Sequence, residues 1–357
     1  MRSLYNILCF VLVLTAAYTA RAEEQPVEVT PQEQFDVKET IFSHIGDSYE
    51  WHVTTWGDTH ISIPLPVIVR GENGKWHLFS SSHLYHGNGS YEGFSIAQDG
   101  KYAGKIVEYN ARGEAVRPVD LSLTKNALAL LINSTILVCI VLCVARWYRK
   151  RPKAVPKGFV GAVEMFVMEI NDGLIKPCIG KGYERYAPYL LTAFFFILVN
   201  NLMGLIPIFP GGASTTGNIA ITIVLGVCTF LAVNIWGTKE YWKEVFWPDV
   251  PTWLKVPLPL MPAIELFGVF TKPFALIIRL FANMMAGHAI ILGLTCMIFV
   301  TVAMGPVINT SMTVVSVLMS IFMNCLELLV AYIQAYVFTM LSAVFIGLSR
   351  VEPHKQH

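Results

Sequence analysis

Two kinds of hydrophobic pattern divide this chain near residue 120. Up to that point apolar residues fall in short alternating runs, THISIPLPVIV, KWHLFS and KIVEY, punctuated by Asn73-Gly74, Asn88-Gly89 and Asp99-Gly100. Alternation of period two, bounded by Asn-Gly and Asp-Gly pairs, predicts strands joined by hairpin turns, so a small β-rich module is expected from Trp51 to Tyr109. Residues 23–50 before it are polar and acidic and read as a tether, helical in part around Phe35 to His44.

Beyond residue 120 the runs lengthen. Apolar segments at 126–147, 187–208 and 218–237 each reach the roughly twenty residues of a perpendicular membrane span. Residues 159–186, where Glu164, Glu169, Asp172 and Lys176 interrupt apolar positions, predict an interfacial helix and loop. The last two segments are too long for ordinary spans. Met261 to Ala303 would measure about 64 Å as a helix and Ser311 to Ser349 about 58 Å, against a hydrocarbon thickness of about 30 Å, so they lie strongly inclined or break. Their connection, MGPVINTS, is uncharged and its Pro306 stops the first helix, which predicts an antiparallel hairpin. The expected fold is an all-α polytopic membrane protein of about five segments ending in a long inclined hairpin, with a β-rich module ahead of it.

Composition agrees: 54% of residues are hydrophobic and 14% charged, and the mean hydropathy is +0.53, which excludes an ordinary soluble protein. The net charge of +1 hides a split, because residues 23–120 carry fifteen acids against seven bases, a net of −8. Met1 to Ala22 has Arg2, an apolar run from Ile7 to Ala17 and Ala20-Arg21-Ala22 before Glu23-Glu24, the pattern of a secretory signal. Cleaved after Ala22 or retained as an anchor, it exports the acidic segment. The domains are then 1–22 signal, 23–120 exported module and 121–357 membrane domain. Arg146, Arg149, Lys150, Arg151, Lys153 and Lys157 after the first span, Lys239, Lys243 and Lys255 after the third, and Arg350 with Lys355 at the end mark the cytoplasmic side. Bases gathered at the ends of apolar runs present no field for nucleic acid. The exported segment holds no cysteine, so it has no disulfide framework, and its His83-x2-His86 pair and Asn88-Gly89-Ser90 sequon read as ordinary surface positions. No cofactor is called for.

The chemistry concentrates in the hairpin. Residues 273 to 326 hold one charged side chain, Arg279 in FALIIRLFANMMAG. A guanidinium there costs about 2.5 kcal/mol or more on insertion scales, and it stays protonated, so it serves as a fixed charge beside groups that do titrate. Glu265, Arg279 and Asn283 share a helix face by their spacing of fourteen and four, and Glu327 and Gln334, seven apart, share a face of the other helix. With Gln334 beside Arg279, Glu327 lies about 10 Å and His288 about 13 Å away in the same direction. Nine residues from Arg279 to His288 is half a turn out of phase. Curvature, Gly287 or a His288 turned into the subunit would reconcile it.

KPFALIIRLFANMMAGH, the Glu327-x6-Gln334 pair in LELLVAYIQAYVF and the earlier NNLMGLIPIF resemble the membrane-embedded a subunit of the F-type ATP synthases over residues 125–350. The resemblance implies that Arg279 is the essential stator arginine, Asn283 its neighbour, Gln334 the glutamine near it and Glu265 an acid of the cytoplasmic access path. Where well-studied bacterial members commonly have glutamate then histidine, this chain has His288 then Glu327, an exchanged pair. The implied function is a proton-conducting stator subunit, non-catalytic itself, that offers two half-channels to a c-subunit rotor ring. The implied partners are that ring, the b-subunit peripheral stalk, the F1 sector and the lipid bilayer, in a bacterial cell inner membrane with the module outside and the C-terminus in the cytoplasm. The ion is a proton or sodium, since the carboxylate that binds it belongs to the rotor. A secondary transporter using Arg279 as an anion site would require inverted repeats, and a module held on a simple anchor would not require an ionisable hairpin. No G-x4-G-K-[ST] motif is present, so nucleotide chemistry resides in partners.

Overall fold

The computed structural model describes residues 37, 38, 41, 45–56, 59–85, 89–97, 101–110, 114–206, 211–247 and 260–350. The signal pattern, most of the tether, His86, Asn88 and the Asp99-Gly100 turn lie outside the described residues.

The module is built of short antiparallel strands. Strands β1 (Glu50–Trp56) and β2 (Thr59–Pro64) pair with each other. β3 (Pro66–Arg70) stands between β4 (Trp76–Ser80) and β8 (Val119–Asp120), and β6 (Ile106–Tyr109) between β5 (Phe94–Ile96) and β7 (Ala115–Val116). The expected Asn73-Gly74 turn joins β3 to β4, with Gly74 at φ 71°, a conformation that suits a residue without Cβ. THISIPLPVIV is two strands rather than one, broken at Leu65. Val67, Val69, Phe79, Phe94 and Ile106 alternate inward and bury Tyr49 among them, whose hydroxyl donates to Asp120. Burial first, and Asp120 second, push the Tyr49 hydroxyl well above its ordinary pKa.

Helix α1 (Lys125–Lys150) begins at Thr124, whose hydroxyl accepts from Ala127 N, and ends on Arg149 and Lys150, which suit the negative end of the helix dipole. Helix α2 (Phe159–Ile170) passes through a π-helical turn, Asn171–Ile175, into the short α3 (Lys176–Ile179), which Gly180 ends at φ 74°. Helix α4 (Ala187–Leu205) is followed by α5 (Ile219–Ile235), which bends by 101° into α6 (Lys239–Phe246). Helices α7 (Leu260–Thr301) and α8 (Pro306–Leu348) form the expected hairpin. Among the described residues four helices are long and apolar enough to cross a membrane, five if the bent pair counts as one span. Helix α8 packs on both α7 and α4, and α5 packs on α7. Leu190, Phe194 and Ile197 of α4 meet Leu276 and Leu280 of α7 and Ala335 and Phe338 of α8 in the core.

One expectation needs correction, and one pair of alternatives is narrowed. Pro306 does not stop the first helix; it opens the second, where its missing N–H would have no intrahelical partner anyway, and Gly305 at φ 101° makes the turn. Neither long helix breaks, even at Pro273 inside α7, so inclination is what remains for keeping them in hydrocarbon.

Candidate functional site

The long helices bring together four of the six polar positions marked in the sequence, as two pairs, and Arg279 lies one turn from the first. Asn283 donates from Nδ2 to Gln334 Oε1 at 2.9 Å, which ties α7 to α8 one turn from Arg279. Further along the same seam, His288 Nδ1 lies 2.8 Å from Glu327 Oε1. Both contacts fit an antiparallel hairpin in the register that puts Gln334 near Arg279. Gln334 and Glu327 are buried, and Arg279 is exposed with no hydrogen bond or ion pair among the described residues. The half-turn mismatch is thereby resolved in favour of an inward His288: Arg279 is exposed, whereas His288 reaches Glu327 on the seam and borders Gly204 of α4.

Two glycines make this packing possible. A Cβ on Gly287 would stand 2.7 Å from Glu327 Oε1, so only a bare backbone lets the carboxylate reach His288. A Cβ on Gly204 of α4 would meet Met284 Cε at 2.5 Å, so Met284 fills the space that glycine leaves.

Glu327 stands at the junction of two spaces. On one side is a cavity of about 250 Å³ lined by Ser214, His288, Asn324 and Glu327 together with Ile45, Gly204 and Ile291. On the other is a cleft of about 10 Å³ bordered by Asn201, Asn283, Glu327 and Gln334, about the room one water needs. The Oε2 atom of Glu327 is buried without a hydrogen-bond partner among the described residues, a costly condition for a carboxylate unless a proton or water satisfies it. The His288–Glu327 contact works with the proton on either partner, from the imidazole to a carboxylate or from a carboxylic acid to the imidazole.

Glu265 is not brought to this cluster. It sits fourteen residues before Arg279, about 21 Å along α7, half-buried and near Tyr241 of α6.

The charged-residue search passed over an uncharged polar layer behind the pair. The stretch GGASTTGN, residues 211–218, folds into the bundle, and Ala213, Ser214, Thr215 and Thr216 are all buried. Thr215 Oγ1 donates to Asn200 Oδ1 at 2.8 Å and Thr216 Oγ1 to Asn201 Oδ1 at 2.7 Å. Asn133 of α1 donates to the same Asn200 oxygen at 3.0 Å, and Asn201 donates to the Ala331 carbonyl at 3.3 Å. The signal was present in the paired asparagines of NNLMGL and the Ser-Thr-Thr of the loop, since uncharged polar residues inside apolar helices need partners in lipid. Among the described residues no group of His, Cys, Asp and Glu could hold a metal ion.

Residues 128–347 match the family described as ATP synthase A chain, and residues 40–126 match a domain of unknown function. The chain is 41% identical over 266 residues to the ATP synthase subunit a of Chlorobium phaeobacteroides, covering 71% of this chain and 74% of that protein. It is 43% identical over 247 residues to ATP synthase subunit a of Pelodictyon phaeoclathratiforme, covering 67% and 69%. Against ATP synthase subunit a 2 of Chlorobaculum tepidum it is 43% identical over 240 residues, 64% of each. With most of its membrane helices inside the family match and such identity over two thirds of its length, this chain belongs to the ATP synthase A chain family.

Proposed function

We propose that the chain is the proton-conducting stator subunit of an F-type ATP synthase and that Arg279 is the fixed charge past which the rotor turns. The observation that carries this reading is the contrast between an exposed Arg279 on the outer face of α7, unpaired among the described residues, and an internal His288–Glu327 pair behind it. A rotor subunit carries a carboxyl group that must be neutral while it faces lipid, because an isolated ionised carboxylate there is far too costly. Brought opposite Arg279 it meets a permanent positive charge, its pKa falls and it releases its proton. An arginine already engaged within its own chain would have less to offer.

In this reading protons reach the rotor through the cavity at His288 and Glu327 and then the narrow cleft beside Asn283 and Gln334. They leave on the other side of Arg279 by a path near Glu265. Arg279 blocks a direct crossing by repelling the proton, so ring rotation is the only route between the half-channels. The chain makes no covalent step; nucleotide chemistry belongs to the F1 sector, and the b-subunit stalk holds the stator still. A transporter that uses Arg279 to bind an anion has no observation to favour it.

The test is ATP synthesis by vesicles that carry the assembled complex. Arg279→Ala falls to background, and Arg279→Lys recovers little, because an ammonium is a compact charge that loses its proton more readily when desolvated. Near wild-type synthesis by the lysine variant would remove the requirement for a permanent guanidinium.

A further inference from the structure

We propose that the N-terminal module, which matches a domain of unknown function, is a working part of the proton path: its segment 45–51 walls the cavity that leads to His288 and Glu327. Ile45 lies buried and lines that cavity opposite His288 and Ile291. Trp51, 3% exposed, packs against Ala129 of α1 and Ala213 of the infolded segment, and the next residue, Ser214, lines the same cavity. One module residue therefore faces the water space, and another braces its wall from behind.

The attachment is more than surface contact. The first two amides of α1 are satisfied by the module, Lys125 N donating to the Ser48 carbonyl at 2.8 Å and Asn126 N to Asp47 Oδ1 at 3.1 Å. Helix-start amides have no intrahelical partner, and a carboxylate there also complements the positive end of the dipole. Lifting the segment away would uncap α1 and expose the Trp51 ring together. The module is thus held as a fixed lining, and water and protons reach the His288–Glu327 pair past it. Because the membrane domain leaves that side of the cavity to Ile45, the size of residue 45 sets how freely the pair exchanges protons with the module's side of the membrane.

This inference rests on the proton path proposed above. The experiment uses whole complexes in membrane vesicles, with Ile45→Cys treated from the module's side with a bulky, membrane-impermeant thiosulfonate. Leu78→Cys, 73% exposed on β4, reports which side that is, and wild type treated alike accounts for the native cysteines. Labelling at position 45 lowers ATP synthesis about tenfold relative to the same preparation before treatment, whereas labelling at 78 leaves it unchanged. Reading the effect before and after labelling removes any contribution from impaired folding. A position 45 that does not label from the module's side, or that labels fully with synthesis intact, overturns the proposal. Glu327→Gln, measured in parallel, separates the two readings: if it abolishes synthesis while labelling of the Ile45→Cys variant does not, the module's role falls and the path stands, and if it retains wild-type synthesis the path itself falls.

Discussion

In the proposed proton path His288 and Glu327 act as one unit, since their 2.8 Å contact lets a single proton be shared between them. The resemblance to relatives with the two residue types in the opposite order predicts that the unit tolerates exchange better than loss of either member. His288→Glu alone sets two acids together and raises the pKa of one, and Glu327→His alone leaves two imidazoles with no carboxylate to stabilise the charged form. The double exchange restores one of each, and its proton pumping, followed by acridine-dye quenching in vesicles, exceeds that of the poorer single variant. Summed losses from the two singles would mean that the residues work separately. Arg279, Asn283, Glu327 and Gln334 were legible in the sequence because a charge or amide inside a long apolar run stands out, and because their spacing fixes a helix face. The inward turn of His288 was not, since phase along one helix does not say where its neighbours lie. Asn200, Asn201, Thr215 and Thr216 escaped for another reason: their pairing depends on a loop folding back into the bundle.

At the scale of the element, the hairpin's existence was readable from length and charge, but its turn was not. Proline both ends one helix and begins the next, and only the positive φ of Gly305 shows that it begins α8 here. The far end of α8 is fixed by a close backbone approach, since a Cβ on Gly347 would lie 2.2 Å from the Cys178 carbonyl oxygen of α3. A backbone atom cannot step aside as a side chain does. Gly347→Ala is therefore expected to destabilise the α3–α8 contact by about 1–3 kcal/mol, seen as less assembled complex after mild detergent extraction and a lower unfolding temperature by intrinsic tryptophan fluorescence. Unchanged assembly and unfolding would show that the two elements separate freely, and that the end of α8 is not held by α3.

For the whole molecule, charge placement and architecture make one argument about orientation. The acidic module precedes α1, six bases from Arg146 to Lys157 stand in its last turns and just beyond, and Lys239 and Lys243 lie in α6 after α5. Bases remain on the cytoplasmic side during insertion, so we propose that the module faces outward and that the cavity it lines is the outer half-channel. Glu265, about 21 Å along α7 from Arg279, then belongs to the cytoplasmic half. A reporter active only outside the cytoplasm, fused after residue 115, should be active. One active only inside should function after residue 245, on the basic stretch of α6, and after 356 at the C-terminus. The three sites are independent, because a single misplaced helix would reverse some and not others. Cytoplasmic activity at 115 would reverse the module and its cavity together, making the His288–Glu327 pair the inner rather than the outer step of the proton path.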